Sequence, residues 1–247
     1  MVKMDARRAG IVRSRLRSVT RRLAGALLGL TLTCTMGGLS AQPYDVDLQL
    51  VLALDSSGSV NFREFELQAH GLARALRDPE VVEAVERWTP NGIAVSVVHW
   101  SGRRQQLVAV DWMAAGDRAS LQSLAAGIEG MGRSLLGETA IGDMLRFAID
   151  HFQRSPFRGT RRVVDVSGDG RSNAGVAPRP LRDAAVAAGI TVNGLAILND
   201  DLTVDLYYAD HVIGGPDAFV MTARDYHDFA RAMRLKLLRE LRGAPLG

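Results

Sequence analysis

The chain has 247 residues, 47% of them hydrophobic and 23% charged, which suits one α/β domain or two small ones, with a core that needs neither disulfides nor structural zinc. A net charge of +3 and a pI near 9.4 suggest nucleic acid, but residues 1–41 hold eight Lys or Arg against Asp5 alone, leaving 22 basic and 26 acidic residues in 42–247. That mildly acidic remainder removes the nucleic-acid reading, and because the single cysteine is Cys34, thiol catalysis and cysteine-ligated zinc are excluded from 42–247 as well.

Residues 1–41 have the three parts of a secretory signal. An Arg-rich stretch runs to Arg22, an apolar one from Leu23 to Met36, and small residues close it at Gly37-Gly38-Leu39-Ser40-Ala41. The apolar run is too short to span a bilayer comfortably and carries Thr31, Thr33 and Thr35. The expectation is cleavage near Ala41/Gln42, export to the periplasm or the extracellular space, and no stable membrane span afterwards. An uncleaved anchor or amphipathic arm is the alternative. Thr20-Arg21-Arg22-Leu23 hints at twin-arginine export, and Thr31-Leu32-Thr33 before Cys34 makes a poor lipoprotein signal.

Residues 42–247 read as one domain. Leu48–Leu54 is a run of Leu, Val and Ala with one Gln, as expected of a parallel strand buried on both faces. It ends at the polar loop Asp55-Ser56-Ser57-Gly58-Ser59. Phe62 to Leu76 has helical spacing, and a second helical piece runs from Glu80 to Trp88. Ile93–Trp100 and Gln105–Val110 are two strands joined tightly through Ser101-Gly102-Arg103, a hairpin that sets one antiparallel strand at a sheet edge. Helical patterns follow at Asp117–Ile128 and Ala140–Gln153, then a strand at Arg161–Ser167, a helix near Pro180–Ala188 and a strand at Thr191–Ile197. A helix around Leu202–Val212, a short strand at Ala218–Thr222 and a final helix from Arg224 to about Leu241 complete the chain. That last helix is read as amphipathic, with Phe229, Met233, Leu237 and Leu238 inward and Arg or Lys outward. Strands alternating with helices predict a doubly wound, mostly parallel sheet with helices on both faces.

In such sheets ligands bind at the carboxyl ends of the strands. Asp55–Ser59 after the first strand, Gly137-Glu138-Thr139 before a helix, and Gly168-Asp169-Gly170 after the fourth strand can converge there. They bring oxygen: carboxylates from Asp55 and Asp169, hydroxyls from Ser57, Ser59 and Thr139. Hard oxygen donors suit Mg2+ or Mn2+. Two carboxylates leave a divalent ion unsaturated, so a carboxylate from a protein partner could complete its shell. Ser and Asp are also preferred helix caps, and capping alone is the competing use of these residues.

Asp55-x-Ser57-x-Ser59 after an apolar strand, then Thr139, then Asp169-Gly170 after another, resembles the metal-ion-dependent adhesion site (MIDAS) of von Willebrand factor A (VWA) domains. Asp165-Val166-Ser167-Gly168-Asp169-Gly170 and Val212-Ile213-Gly214-Gly215-Pro216 look like a bacterial branch of that superfamily with no assigned function. The resemblance implies six strands in the order 3-2-1-4-5-6, with Asp55, Ser57, Ser59, Thr139 and Asp169 as metal positions and protein binding through the metal. One departure concerns Gly168, where many relatives carry Thr directly before the metal-site Asp.

Asp165, in the middle of an apolar strand, is read as a partner orienting a ligand or as bonded to a neighbouring strand. His99 and Trp100 are read as packing residues, Glu138 as a solvated carboxylate and Asn173 as a turn residue. No Gly-x-Ser-x-Gly elbow or His-Glu-x-x-His occurs, so a hydrolase using Ser57 ranks below a metal-dependent protein-binding module and below a metal-free scaffold of the same fold.

Overall fold

A computed structural model describes residues 43–243. The expected signal segment, residues 1–41, lies outside the described residues.

Six strands form one sheet: β1 (Tyr44–Asp55), β2 (Ile93–Trp100), β3 (Gln106–Ala115), β4 (Phe157–Gly168), β5 (Thr191–Ile197) and β6 (Val220–Ala223). Their order is β3-β2-β1-β4-β5-β6, all neighbours parallel except the antiparallel β2–β3 pair at one edge. Fold class, strand order and the antiparallel edge all match the expectation. The β2–β3 ladder is irregular between Val95 and Val98, and β3 continues to Ala115, beyond the Val110 expected for it.

The helices are α1 (Phe62–Leu76), α2 (Pro79–Trp88), α3 (Arg118–Glu129), α4 (Ile141–Gln153), α5 (Pro178–Ala187), the short α6 (Val204–Tyr207) and α7 (Phe229–Arg242). Alternation along β1 sorts them into two layers, because successive side chains of a strand face opposite ways. Leu48, Leu50, Leu52 and Leu54 pack with α1, α2, α3 and α7, whereas Val51 and Ala53 pack with α4 and α5. With both faces covered, β1 is wholly apolar from Leu50 to Leu54 and turns polar as it emerges at Asp55.

β1 and β4 each begin four residues before the expected start, at Tyr44 and Phe157, and two helical elements also differ from the sequence reading. The helix expected over Leu202–Val212 is one α turn followed by a π-helical turn, Tyr208–Val212. The final helix starts at Phe229 rather than Arg224, because Asp225 and Tyr226 close turns onto Asp228 and Phe229.

Lys236 corrects the expectation that α7 turns its cations outward, since it is fully buried between Asp165 and Glu240. Its ammonium lies 3.1 Å from Asp165 Oδ1 and donates to Glu240 Oε1 at 3.2 Å; the first is an ion contact without hydrogen-bond alignment. Glu240 also accepts from Asn193 Nδ2 at 2.7 Å, and Asn193 Oδ1 accepts from the Phe219 N–H at 2.9 Å. Asp165 therefore pairs with a helix rather than with a neighbouring strand or a site residue. Two buried carboxylates share one ammonium, and burial pushes Asp165 up to about 7, with Lys236 opposing and Glu240 adding to the rise.

A carboxyl whose folded pKa is raised holds a proton that the unfolded chain releases above about pH 4, so it withdraws stability as pH climbs from 4 to 7. Asp165→Asn should flatten that part of the stability–pH curve. Lys236→Met, which strands both carboxylates, should cost about 3–5 kcal/mol at pH 7 and less at pH 5, measured by urea unfolding.

Candidate metal centre

The parallel register sets Asp55 level with Trp100 of β2, and Leu54 level with Ser167 of β4, so the loops after β1 and β4 leave the sheet side by side. Asp55 is completely buried and Asp169 nearly so. The Asp55 carboxylate turns back on its own loop, Oδ1 accepting from the Ser57 N–H at 2.7 Å. Ser57 and Ser59 hydroxyls lie 3.2 Å apart, and Ser59 Oγ donates to Asp169 Oδ1 at 2.9 Å. Four of the five expected residues thus form one connected chain from β1 to β4.

Thr139 arrives from a third segment held by backbone bonds. The Gly58 N–H donates to the Gly137 carbonyl at 2.6 Å, tying the Asp55 loop to the stretch before Thr139. Asn173 then clamps Thr139 itself, its Oδ1 accepting from the Thr139 N–H at 2.8 Å and its own N–H donating to the Thr139 carbonyl at 2.9 Å. Asn173 is therefore more than a turn residue, since it fixes the loop after β4 to the start of α4. Glu138 is exposed, as read.

Helix capping does not account for the set. The N-cap of α1 is Asn61, in a reciprocal capping box with Glu64, and α4 takes its help from Ser172 Oγ, which accepts from the Ile141 N–H at 3.3 Å. Asp55, Ser57, Ser59 and Thr139 are left out of both caps.

Three residues that sequence reasoning did not assign to the site complete it. Tyr226 donates its hydroxyl to Asp169 Oδ2 at 2.8 Å, so both Asp169 oxygens are held. Arg133 reaches across from the Gly-rich stretch 130–137 between α3 and α4 and donates to the Ser57 carbonyl at 2.7 Å. Tyr208, wholly buried, comes up from the π-helical turn. A lone tyrosine or arginine in a loop carries no motif, so only the fold reveals these partners.

The electrostatics are those of two acids brought close in a dry setting. Burial and then the Asp169 charge raise Asp55 to about 7, against the Ser57 hydrogen bonds and Arg133. Burial likewise raises Asp169, against the Tyr226 and Ser59 hydrogen bonds. Both tyrosines are held protonated, chiefly by burial and then by these carboxylates. Asp55 Oδ2 is buried with no hydrogen-bond partner. Among the described residues no group of three or more His, Cys, Asp or Glu gathers anywhere. The donor set is instead rich in hydroxyls, with two carboxylates, and it suits a hard divalent cation, which would relieve their repulsion and engage the unpartnered oxygen.

His99 is buried, with neither ring nitrogen partnered; it meets Phe65 edge-on at 4.7 Å and is pushed down to about 4 by burial. It is neutral packing material, as read.

A family model described as "Protein of unknown function (DUF1194)" matches residues 45–245. No curated protein matches the chain in sequence. Among solved structures, proximal thread matrix protein 1 from the mussel byssus superposes with a TM-score of 0.57 at 16% identity, over 79% of this chain and 47% of that one. The present chain thus spans about half the length of the mussel protein, another crystal of which has a zinc-occupied MIDAS motif. The vWF domain of the type V pili tip protein Mfa5 from Porphyromonas gingivalis gives a TM-score of 0.53 at 11% identity, over 78% of this chain and 94% of that one. A von Willebrand factor type A protein from Catenulispora acidiphila gives 0.52 at 16% identity, over 79% and 42%. At such identities the likeness is one of fold, and the fold is that of VWA domains.

Asp55 generates a pH prediction in chelator. With its folded pKa raised from 3.8 to about 7, the carboxyl withdraws stability as pH rises through that window. Asp55→Asn should therefore be more stable than wild type at pH 7.5 in EDTA, by on the order of 2 kcal/mol, and the difference should vanish near pH 4. Thermal or urea unfolding across pH measures it.

Proposed function

The chain belongs to this family of proteins of unknown function and has a VWA-type fold, and from that premise we propose that it is an exported, metal-dependent protein-binding module rather than an enzyme. The observation that carries the reading is the Asp55–Ser57–Ser59–Asp169 chain with its buried, unpartnered carboxylate oxygen. Asp55, Ser57, Ser59, Thr139 and Asp169 would hold the ion, Mg2+ or Mn2+ by the hardness of their oxygens. Two carboxylates balance the ion's charge and five donors leave a sixth position open, which an Asp or Glu carboxylate of a protein partner would fill.

The surface around these residues suits such a partner. Phe62 and Leu136, both about two-thirds exposed, stand on the segments that carry Ser59 and Thr139. The Arg133 guanidinium lies 5.4 Å from the centre of the Phe62 ring. An acidic side chain flanked by apolar ones would meet the ion and, beside it, apolar surface that keeps water from the contact.

Catalysis has less support. The Ser57 hydroxyl is engaged by Ser59, with no histidine bonded to either. The Ser–His hydrogen bond found among the described residues is that of Ser96 and His151, buried beside Trp112, with Ser96 donating to the Val110 carbonyl. Export rests on residues 1–41; no described helix is long and apolar enough to cross a membrane.

Two measurements test this. Millimolar Mn2+ or Mg2+ should stabilise wild type but not Asp55→Ala, by about 2.7 kcal/mol when the ion is at a hundred times its Kd, read as a raised melting midpoint. Peptides selected from a random display library on the protein in Mn2+ should carry Asp or Glu and elute with EDTA. Selection of peptides without an acidic residue, retained in EDTA, would sink the metal-bridged mode of binding.

A further inference from the structure

We infer that Tyr208 is a positioning residue of the metal centre: its phenol serves Asp55 Oδ2, through an opening made by the absence of a side chain at Gly168. The inference rests on the metal-binding reading above and adds a residue that no motif points to.

Three observations meet at one place. Asp55 Oδ2 and the Tyr208 hydroxyl are both buried polar atoms with no hydrogen-bond partner in the protein. A Cβ placed on Gly168 would stand 2.6 Å from the Tyr208 hydroxyl and 2.8 Å from Asp55 Oδ2, so the two oxygens border the same gap. Unpaired buried polar atoms are rare and costly, and two of them beside one gap, one a donor and the other a carboxylate, point to a shared use.

The surrounding strands are adapted to bring the phenol there. A Cβ on Gly194 of β5 would stand 2.7 Å from Tyr208 Cδ1, so a second strand glycine makes room for the ring itself. Glycine weakens a strand interior, and its presence there marks a close approach by another group. Here two neighbouring strands each give up a side chain along the line of one tyrosine. The π-helical turn Tyr208–Val212, closed by the Ile213 N–H donating to the Tyr208 carbonyl at 3.0 Å, holds Tyr208 at the start of that line. Trp100 Cζ2, 3.3 Å from the same Gly168 point, walls the gap on the β2 side.

The chemistry assigned to Tyr208 is limited and specific. Asp55 Oδ1 is already taken by the Ser57 N–H. A phenol O–H donated to Oδ2 would hold the second oxygen and fix the carboxylate plane while leaving its remaining lone pairs free for the ion or for a water bound to it. Asp169 already has this arrangement, Ser59 on one oxygen and the Tyr226 phenol on the other. Each buried carboxylate would then have one serine-loop donor and one tyrosine.

Tyr208→Phe keeps the ring and deletes only the hydroxyl, and Gly168→Ala keeps the hydroxyl but fills the gap. Mn2+ affinity of the full chain, measured by titration calorimetry at pH 7.5, should fall about tenfold or more in each variant, as for other groups that orient metal ligands. Tyr208→Phe should melt in EDTA at pH 5 within a degree or two of wild type, because the hydroxyl has no other partner to lose. Mn2+ affinity of Tyr208→Phe within twofold of wild type would overturn the inference, as would an unchanged affinity in a folded Gly168→Ala. Wild type that takes up no Mn2+ would instead defeat the metal reading and Tyr208's part in it together. The two failures are therefore separable.

Discussion

The cost of burying a carboxylate governs this structure, and the protein meets it in two different ways. An ionised carboxylate in a dry interior is tolerated only with a counter-charge or a dense set of hydrogen bonds. Asp165, midway along β4, receives a counter-charge from within the chain, the ammonium of Lys236, itself without solvent exposure. Asp55 and Asp169, at the ends of β1 and β4, receive none of comparable closeness. Their donors are neutral hydroxyls and one backbone N–H, while Arg133 spends its hydrogen bonds on carbonyls. Where the fold could neutralise a buried acid with its own lysine it has done so. The pair at the sheet end is left open, which is what a site for an external cation requires.

The sheet explains why the open pair sits where it does. A parallel strand covered on both faces has to stay apolar until it leaves the layer, and β1 obeys this from Leu50 to Leu54. The first residues free to be polar are those at its carboxyl end. Because β1 and β4 are hydrogen-bonded neighbours in parallel, their ends coincide, and acids placed there by two distant parts of the sequence become neighbours. The hydroxyls and the Gly58–Gly137 and Thr139–Asn173 bonds then lock three loops into one surface. Position comes from the sheet and rigidity from the loops.

Much of this was legible in the sequence, for physical reasons. Largely apolar runs ending abruptly in polar loops located β1, β4 and β5, and the spacing from Phe62 to Leu76 gave α1 its bounds. Departures occurred where tertiary partners override pattern. Lys236 reads as one more outward cation of α7 until Asp165 is seen to lie beneath it. An acid interrupting an apolar strand was itself the signal that a buried partner exists, though nothing local says which cation it is. The stretch over Leu202–Val212 has a helical pattern, yet it switches to π winding at Tyr208. No periodicity rule anticipates that change, nor the room that Gly168 and Gly194 leave for the Tyr208 side chain.

Gly168 is the most instructive of these residues. Against the VWA pattern it is a departure, a missing threonine beside a metal-site acid, and taken alone it reads as a loosened site. In the fold the position is filled from elsewhere, since the Tyr208 hydroxyl lies 2.6 Å from where a Cβ of residue 168 would be. The hydroxyl that the strand lacks is supplied by a side chain some forty positions later in the sequence. A motif scored residue by residue counts a loss at Gly168 and assigns no meaning to Tyr208 or Gly194. The packing constraint joins all three, because the phenol cannot lie beside Asp55 unless both strands give way. The relevant unit of comparison with VWA domains is therefore the set of oxygens around the two acids, whichever residues deliver them.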